Sequence, residues 1–217
     1  MSPRLHPRPG DEIPGPLLAR WRRIPVAVVA DLAPAQQIDP AIRPLLPPDR
    51  QPALFGRALT VRCAPPDFGA VLQAVGNVRP GEVLVIAAGG HAGHAMIGDV
   101  LGGHLHRQGA AGVVCDGMVR DVTGLAAMPG LSVYARGTNP RGPTGIRQGE
   151  VNAPVTLGGC TIAPGDLVLG DADGLAVLPV AMLAGLIEAA EAKLALEAVW
   201  TQRLIRGDRI EDIFGPV

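Results

Sequence analysis

Glycine and proline punctuate this sequence so evenly that no long uninterrupted helix fits before Met182. Together they make up nearly a quarter of the 217 residues (29 Gly and 22 Pro), and they fall between apolar runs instead of gathering in tracts. Glycine favours turns because it has no Cβ, proline because its φ is fixed and its N–H is missing. Many short strands joined by tight turns are therefore expected. With 47% hydrophobic residues and only 18% charged, the chain can bury a sizeable core, and its length suits one domain. We assign residues 17–217 to that domain and the Pro- and Arg-rich residues 1–16 to a flexible arm.

The remaining composition narrows the partners. A net charge of −1, with no basic block, argues against nucleic acid. Aromatic residues at 3% leave few platforms for stacked bases. Cys63, Cys115 and Cys160 are odd in number and widely spaced, fitting neither a disulfide framework nor a zinc cluster. Buried thiols in a reducing compartment are expected. No signal peptide or membrane span is apparent, so a soluble, cytoplasmic protein is expected.

A short helix around Val26–Leu32, led by Pro25, opens the domain, and Pro34–Pro52 reads as irregular. Gly56–Ala64 alternates like a strand, and Asp67 is placed to cap a helix over Phe68–Gly76. Val83–Ala88 is continuously apolar, as in strands buried on both faces. A Gly/His-rich loop follows, then a helix over Gly98–Gln108 ending at Gly109, then a second buried strand at Gly112–Cys115. Strand, helix, strand makes a βαβ unit and the fold class α/β. Leu131–Ala135 is one more strand. Four short strands are expected between Val155 and Leu178, and one long helix from Met182 to about Arg206 carries an apolar stripe of Leu183, Leu186, Ile187, Ala190 and Leu194.

Ligands in open α/β sheets bind beyond the carboxyl ends of the strands. Two segments converge there: Gly98-Asp99 at the helix start, and Arg120-Asp121 after the second strand. The free N–H groups of a helix start bind anions, and the Arg120 guanidinium suits a carboxylate. Asp99 and Asp121 offer hard oxygen ligands for Mg²⁺ or Mn²⁺. An anion clamp beside a hard cation is what an oxo acid requires. Against this, an Arg-Asp pair is more often a surface ion pair, and a Gly-Asp before a helix is often only a cap.

Other motifs fail on spacing. Glycines at 89, 90 and 93 do not make a dinucleotide fingerprint. His91 and His94 stand three apart without a third ligand, and His104 and His106 face different ways on a helix, so zinc is weakly supported. Asp171 and Asp173 lack the glutamate of a calcium loop, and Ser132 has no nucleophile-elbow context.

Gly98-Asp99, twenty intervening residues, then Arg120-Asp121 resembles the signature of the class II pyruvate aldolases related to 4-hydroxy-4-methyl-2-oxoglutarate aldolase, a superfamily that includes the RraA-like regulators of RNase E. The likeness runs from about Ile24 and includes Gly56–Val61, Arg79–Val85, Asp116–Asp121, Pro164–Asp166 and Asp173–Pro179. It implies a compact β/β/α sandwich and ring-shaped homotrimers, sometimes paired into hexamers, with sites between subunits. It further implies Asp121 as the direct ligand of Mg²⁺ or Mn²⁺, and Arg120 as the substrate grip, aided by Gly98 and the backbone N–H groups near Val100 and Leu101. Asp99 would hold water and handle protons, and Asp31 and Glu197 are the acidic groups expected from a neighbouring subunit. Departures from the family pattern are His91 and His94 before Gly98, and Gly102-Gly103 and His104 after it. Both changes are expected to surround the pocket.

The implied reaction is retro-aldol cleavage of a 4-hydroxy-2-oxo acid to pyruvate, with oxaloacetate decarboxylation through the same enolate. Lys193, the only lysine, stands away from the motif, so no Schiff base is needed. The alternative is a non-enzymatic regulator that binds a ribonuclease.

Overall fold

The computed structural model describes residues 2–10 and 13–215. Four parallel strands form the centre: β3 (Leu54–Arg62), β4 (Glu82–Ala87), β6 (Gly112–Val119) and β7 (Ser132–Thr138), hydrogen-bonded in the order β3-β4-β6-β7. The short β2 (Arg43–Pro44) lies antiparallel to β7. On the other side, β8 (Glu150–Val151) and β11 (Leu167–Gly170) both pair antiparallel with β3, and β12 (Leu175–Leu178) pairs with β11. The three-residue β5 (Ala95–Ile97) adds to β6.

Alternation along the central strands sets the layers, because successive side chains point to opposite faces. Leu84 and Ile86 of β4 pack with Val71 and Val75 of α3 (Gly69–Val75), Leu105 of α4 (Asp99–Arg107) and Leu125 of α5 (Val122–Ala126). Val83 and Val85 face the other way, against Val155 and Leu157 of β9 (Val155–Leu157) and Cys160 and Ile162 of β10 (Cys160–Ile162), a separate hairpin. Helix, sheet and hairpin are the three layers of the expected β/β/α sandwich.

A third core holds the remaining helices. Trp21 of α1 (Gly15–Trp21) and Val26, Val28 and Val29 of α2 (Val26–Leu32) pack with Leu183, Ile187 and Ala190 of α6 (Val180–Ile205) over Leu167, Leu169, Ala176 and Leu178. Leu186 and Leu194 complete the stripe expected for this helix. Asp166 fixes its start by accepting from the Val180 N–H at 3.3 Å and the Ala163 N–H at 2.8 Å. Beyond Leu194 the apolar side chains of α6 emerge, and Trp200 meets Phe214 of α7 (Ile210–Phe214) with ring centroids 5.0 Å apart.

Several elements differ from expectation. The strand expected at Gly112–Cys115 continues as β6 to Val119, with a register shift between Cys115 and Met118. Asp116, just past the expected end of that strand, lies within β6 with its carboxylate satisfied in the interior by the Ala88 N–H. Backbone N–H groups of Gly89 and Gly90 also face it. The short β5 and α5 have no counterpart in the sequence pattern.

The N-terminal segment expected as an arm carries a strand, β1 (Arg4–Leu5), parallel to β8. It is fastened by His6 Nε2 to Glu150 at 3.0 Å and by an Arg8–Glu82 ion pair. Met1, Asp11 and Glu12 of that segment lie outside the described residues.

Candidate functional site

The loop before α4 and the end of β6 meet because the Arg120 N–H donates to the Ile97 carbonyl at 3.0 Å. That bond lays Arg120 beside Gly98. Asp121 then turns the chain into α5 through a left-handed backbone, φ 53° and ψ 42°, which aspartate tolerates better than most residues. Its carbonyl accepts from the Leu125 N–H at 3.0 Å, the first bond of α5.

Three glycines make room for the charged side chains. A Cβ at Gly98 would stand 2.4 Å from Asp121 Oδ2 and 2.9 Å from Arg120 Cγ. At Gly142 it would stand 2.4 Å from Arg120 Nη1, and at Gly124 it would stand 2.7 Å from Asp99 Cβ. The Arg120 side chain is thus wedged between Gly98 and Gly142, and its Nε lies 3.2 Å from Asp121 Oδ2. Asp99 occupies the first turn of α4 against α5.

Arg120 and Asp121 open into a cavity of about 340 Å³, also lined by Gly98, Val100, Leu101, Phe68, Leu72 and Pro143. The first turn of α4 leaves the N–H groups of Asp99, Val100 and Leu101 without intrahelical partners, and no side chain caps it. Guanidinium, carboxylate and free amides therefore meet at one opening, suited to a small anion with a polarisable oxygen. Among the described residues no group of three or more His, Cys, Asp and Glu side chains forms a metal cage. The donor set instead offers the Asp121 carboxylate as a hard oxygen on the cavity wall. That fits Mg²⁺ or Mn²⁺, which keep several waters when one or two carboxylates bind them.

The sequence-derived candidates divide. Gly98, Val100, Leu101, Arg120 and Asp121 line the cavity; Asp99 stands next to it in the chain without lining it. Asp31 and Glu197 do not reach the cavity of their own chain. Both are held by Lys193, at 3.0 Å each, where α2 crosses α6.

His91 and His94 also fail to line the cavity, contrary to expectation. Their rings stack 9° from parallel, with Nε2 of His91 3.1 Å from Nδ1 of His94. Burial, then the charges of Arg141 and His91, hold His94 below its ordinary pKa. His104 is likewise absent from the lining. Asp171 and Asp173 form a turn, as expected, and Asp171 Oδ2 also accepts from the Val26 N–H that begins α2.

Phe68, Leu72, Gly142 and Pro143 were not anticipated. The Gly142-Pro143 pair signals only a loop in the sequence. Phe68, just before α3, and Leu72, within it, are apolar residues of the helix expected over Phe68–Gly76, with nothing to mark them as ligand-facing.

Comparison with known proteins shows the family and the fold. A family described as RraA-like, Aldolase/RraA, matches residues 26–177. A protein of Halalkalibacterium halodurans, named provisionally as a 4-hydroxy-4-methyl-2-oxoglutarate aldolase, is 35% identical over 82% of this chain and 83% of its own length. The structure of Streptomyces coelicolor RraAS2, described as an unusual member of the RNase ES inhibitor RraA family, superposes with a TM-score of 0.76 at 26% identity. It covers 88% of this chain and 100% of that one. An uncharacterized protein from Pseudomonas syringae pv. tomato shares the fold at a TM-score of 0.80 and 22% identity, covering 94% and 98% of the two chains.

Proposed function

Because this chain belongs to the RraA-like Aldolase/RraA family, we propose that it is a divalent-metal-dependent lyase that releases pyruvate from a 4-hydroxy-2-oxo acid. Oxaloacetate decarboxylation is expected to accompany that activity. The observation that carries the proposal is the meeting of Arg120, Asp121 and the free N–H groups of Val100 and Leu101 in one cavity.

Arg120 holds the substrate carboxylate, its position fixed by Gly98 on one side and Gly142 on the other. The amides of α4 add donors to the same anion. Mg²⁺ or Mn²⁺ bound through Asp121 would supply Lewis acidity at the keto oxygen. Cleavage takes the C4 hydroxyl proton, converts C4 to a carbonyl and leaves the C3–C4 electron pair on C3, which then accepts a proton to give pyruvate. Asp99, one residue from Gly98, serves this proton traffic through water. We propose homotrimers or paired trimers, in which Asp31 and Glu197 approach a neighbouring chain's cavity from the α2–α6 face.

Pyruvate release from 4-hydroxy-4-methyl-2-oxoglutarate and from oxaloacetate, with Mg²⁺ or Mn²⁺ and again with EDTA, tests the proposal. Asp121→Asn keeps a residue type that accepts the left-handed backbone and should abolish metal-dependent turnover while leaving the fold intact. Full activity in that variant would sink the assignment.

The likeness to RraA structures supports a second reading, a non-enzymatic regulator that binds a ribonuclease. Tight RNase E binding without lyase activity would reverse the ranking.

A further inference from the structure

Resting on the lyase reading above, we infer that this site selects 4-hydroxy-2-oxo acids with an apolar far end over those that end in a second carboxylate. Charge in the cavity comes from Arg120 and Asp121; most of the remaining wall is Phe68, Leu72, Val100, Leu101 and Pro143. Among the described residues Arg120 is the only basic one in the lining, and Asp121 lies 3.2 Å from its Nε. Lying between Gly98 and Gly142, this single guanidinium is the one cationic side chain the cavity offers, and it can serve one carboxylate at a time. Arg141 and Arg147 flank the lining loop but are exposed and do not line the cavity.

The apolar wall is built to stay in place. Phe68 donates its N–H to the Gly145 carbonyl at 3.1 Å. The neighbouring Asp67 carboxylate binds the N–H groups of Gly69, Arg147 and Gln148 at 2.8, 2.9 and 3.0 Å. Phe68 and Leu101 also pack against the buried core under the helices. A carboxylate pressed against the side chains of Phe68, Leu72 and Pro143 loses water without gaining a donor from them, whereas a methyl or ethyl group gains from burial. At about 340 Å³ the cavity is near the small end of ligand pockets, which brings the far end of a short bound substrate near this wall.

Pyruvate release from 4-hydroxy-2-oxopentanoate and from 4-hydroxy-4-methyl-2-oxoglutarate, both with Mg²⁺, measures the selectivity. We expect kcat/KM to favour the monocarboxylate by at least about tenfold. Leu72→Arg, at a partly buried position on the cavity wall, is expected to move that ratio about tenfold toward the dicarboxylate. Equal rates, or a preference for the dicarboxylate in the unsubstituted protein, would overturn the inference and leave the lyase reading standing. No pyruvate from either, with or without metal, would sink the lyase reading. Calorimetric titration with 4-methyl-2-oxopentanoate and 2-oxoglutarate then decides selectivity alone: tighter binding of the branched acid supports it, and tighter binding of 2-oxoglutarate overturns it.

Discussion

A Cβ at Gly98 would stand 2.4 Å from Oδ2 of Asp121, although the Gly98 backbone, at φ −143° and ψ −167°, is one that any residue adopts. Space, not conformational freedom, is what glycine supplies here. The two ends of the Gly98-Asp99 and Arg120-Asp121 motifs therefore close on each other as a steric pair.

Gly98→Ala should consequently act on activity far more than on stability. Its methyl must push Asp121 and Arg120 out of place, and a displacement near 1 Å costs about 100-fold in turnover. The side chains displaced are half-exposed, so the melting temperature should barely move. Paired measurement of pyruvate release and thermal unfolding checks both halves; a stable variant with full activity refutes the steric argument.

Gly142→Ala should give a different signature. The group it meets is Arg120 Nη1, the end of a flexible side chain that can retreat from the substrate carboxylate. Loss of one charge-assisted contact should raise KM about tenfold, with a smaller change in kcat. Steady-state kinetics over a range of substrate concentrations separates the two effects.

The Asp67 carboxylate joins α3 to the 145–148 loop, and its titration has a defined direction. Burial works against its charge, but the N–H groups of Arg147, Gly69 and Gln148 outweigh it and hold the pKa below the ordinary 3.8. Ionised Asp67 thus stabilises the fold above that pH, and the contribution is lost as pH falls through the lowered value. Asp116 and Asp166, pushed up chiefly by burial, act in the opposite sense. They favour the fold at low pH, a benefit lost as pH rises through their raised values. Asp67→Ala, which leaves these N–H groups unpaired, should cost about 1–2 kcal/mol near neutrality. The gap from the unsubstituted protein should narrow below pH 3.8, as thermal unfolding across pH would show.

All three thiols should be inert in the native state. Burial pushes Cys115 up to about 12, and raises Cys63 and Cys160 as well. The thiolate is the reactive form. A disulfide reagent near neutral pH should therefore titrate almost no thiol before denaturation and three after it. Rapid native reaction at any one would contradict the packing.

The sequence is most legible where one residue's chemistry decides the outcome locally. Val83 to Ala88 could be little other than a buried strand, and the four short strands from Val155 to Leu178 are bounded by their own turn residues. It is least legible where a distant partner decides. The strand expected to stop at Cys115 runs on through Asp116-Gly117 because the Ala88 N–H binds the Asp116 carboxylate inside β6. Arg4-Leu5 reads as loose until β8 offers an edge.

The same division runs through the site. Amino-acid sequence by itself determined the buried central strands with their βαβ unit, the long C-terminal helix and the pairing of Gly98-Asp99 with Arg120-Asp121, because periodicity and motif spacing are local quantities. The three layers are implied only by the family resemblance. Only the tertiary structure decided that Gly142 confines Arg120, that Phe68, Leu72 and Pro143 wall the cavity, and that Asp31 and Glu197 meet at Lys193. Those relations join residues far apart in the chain, and their basis is exclusion of volume and pairing of charge, which have no signature until the chain is folded.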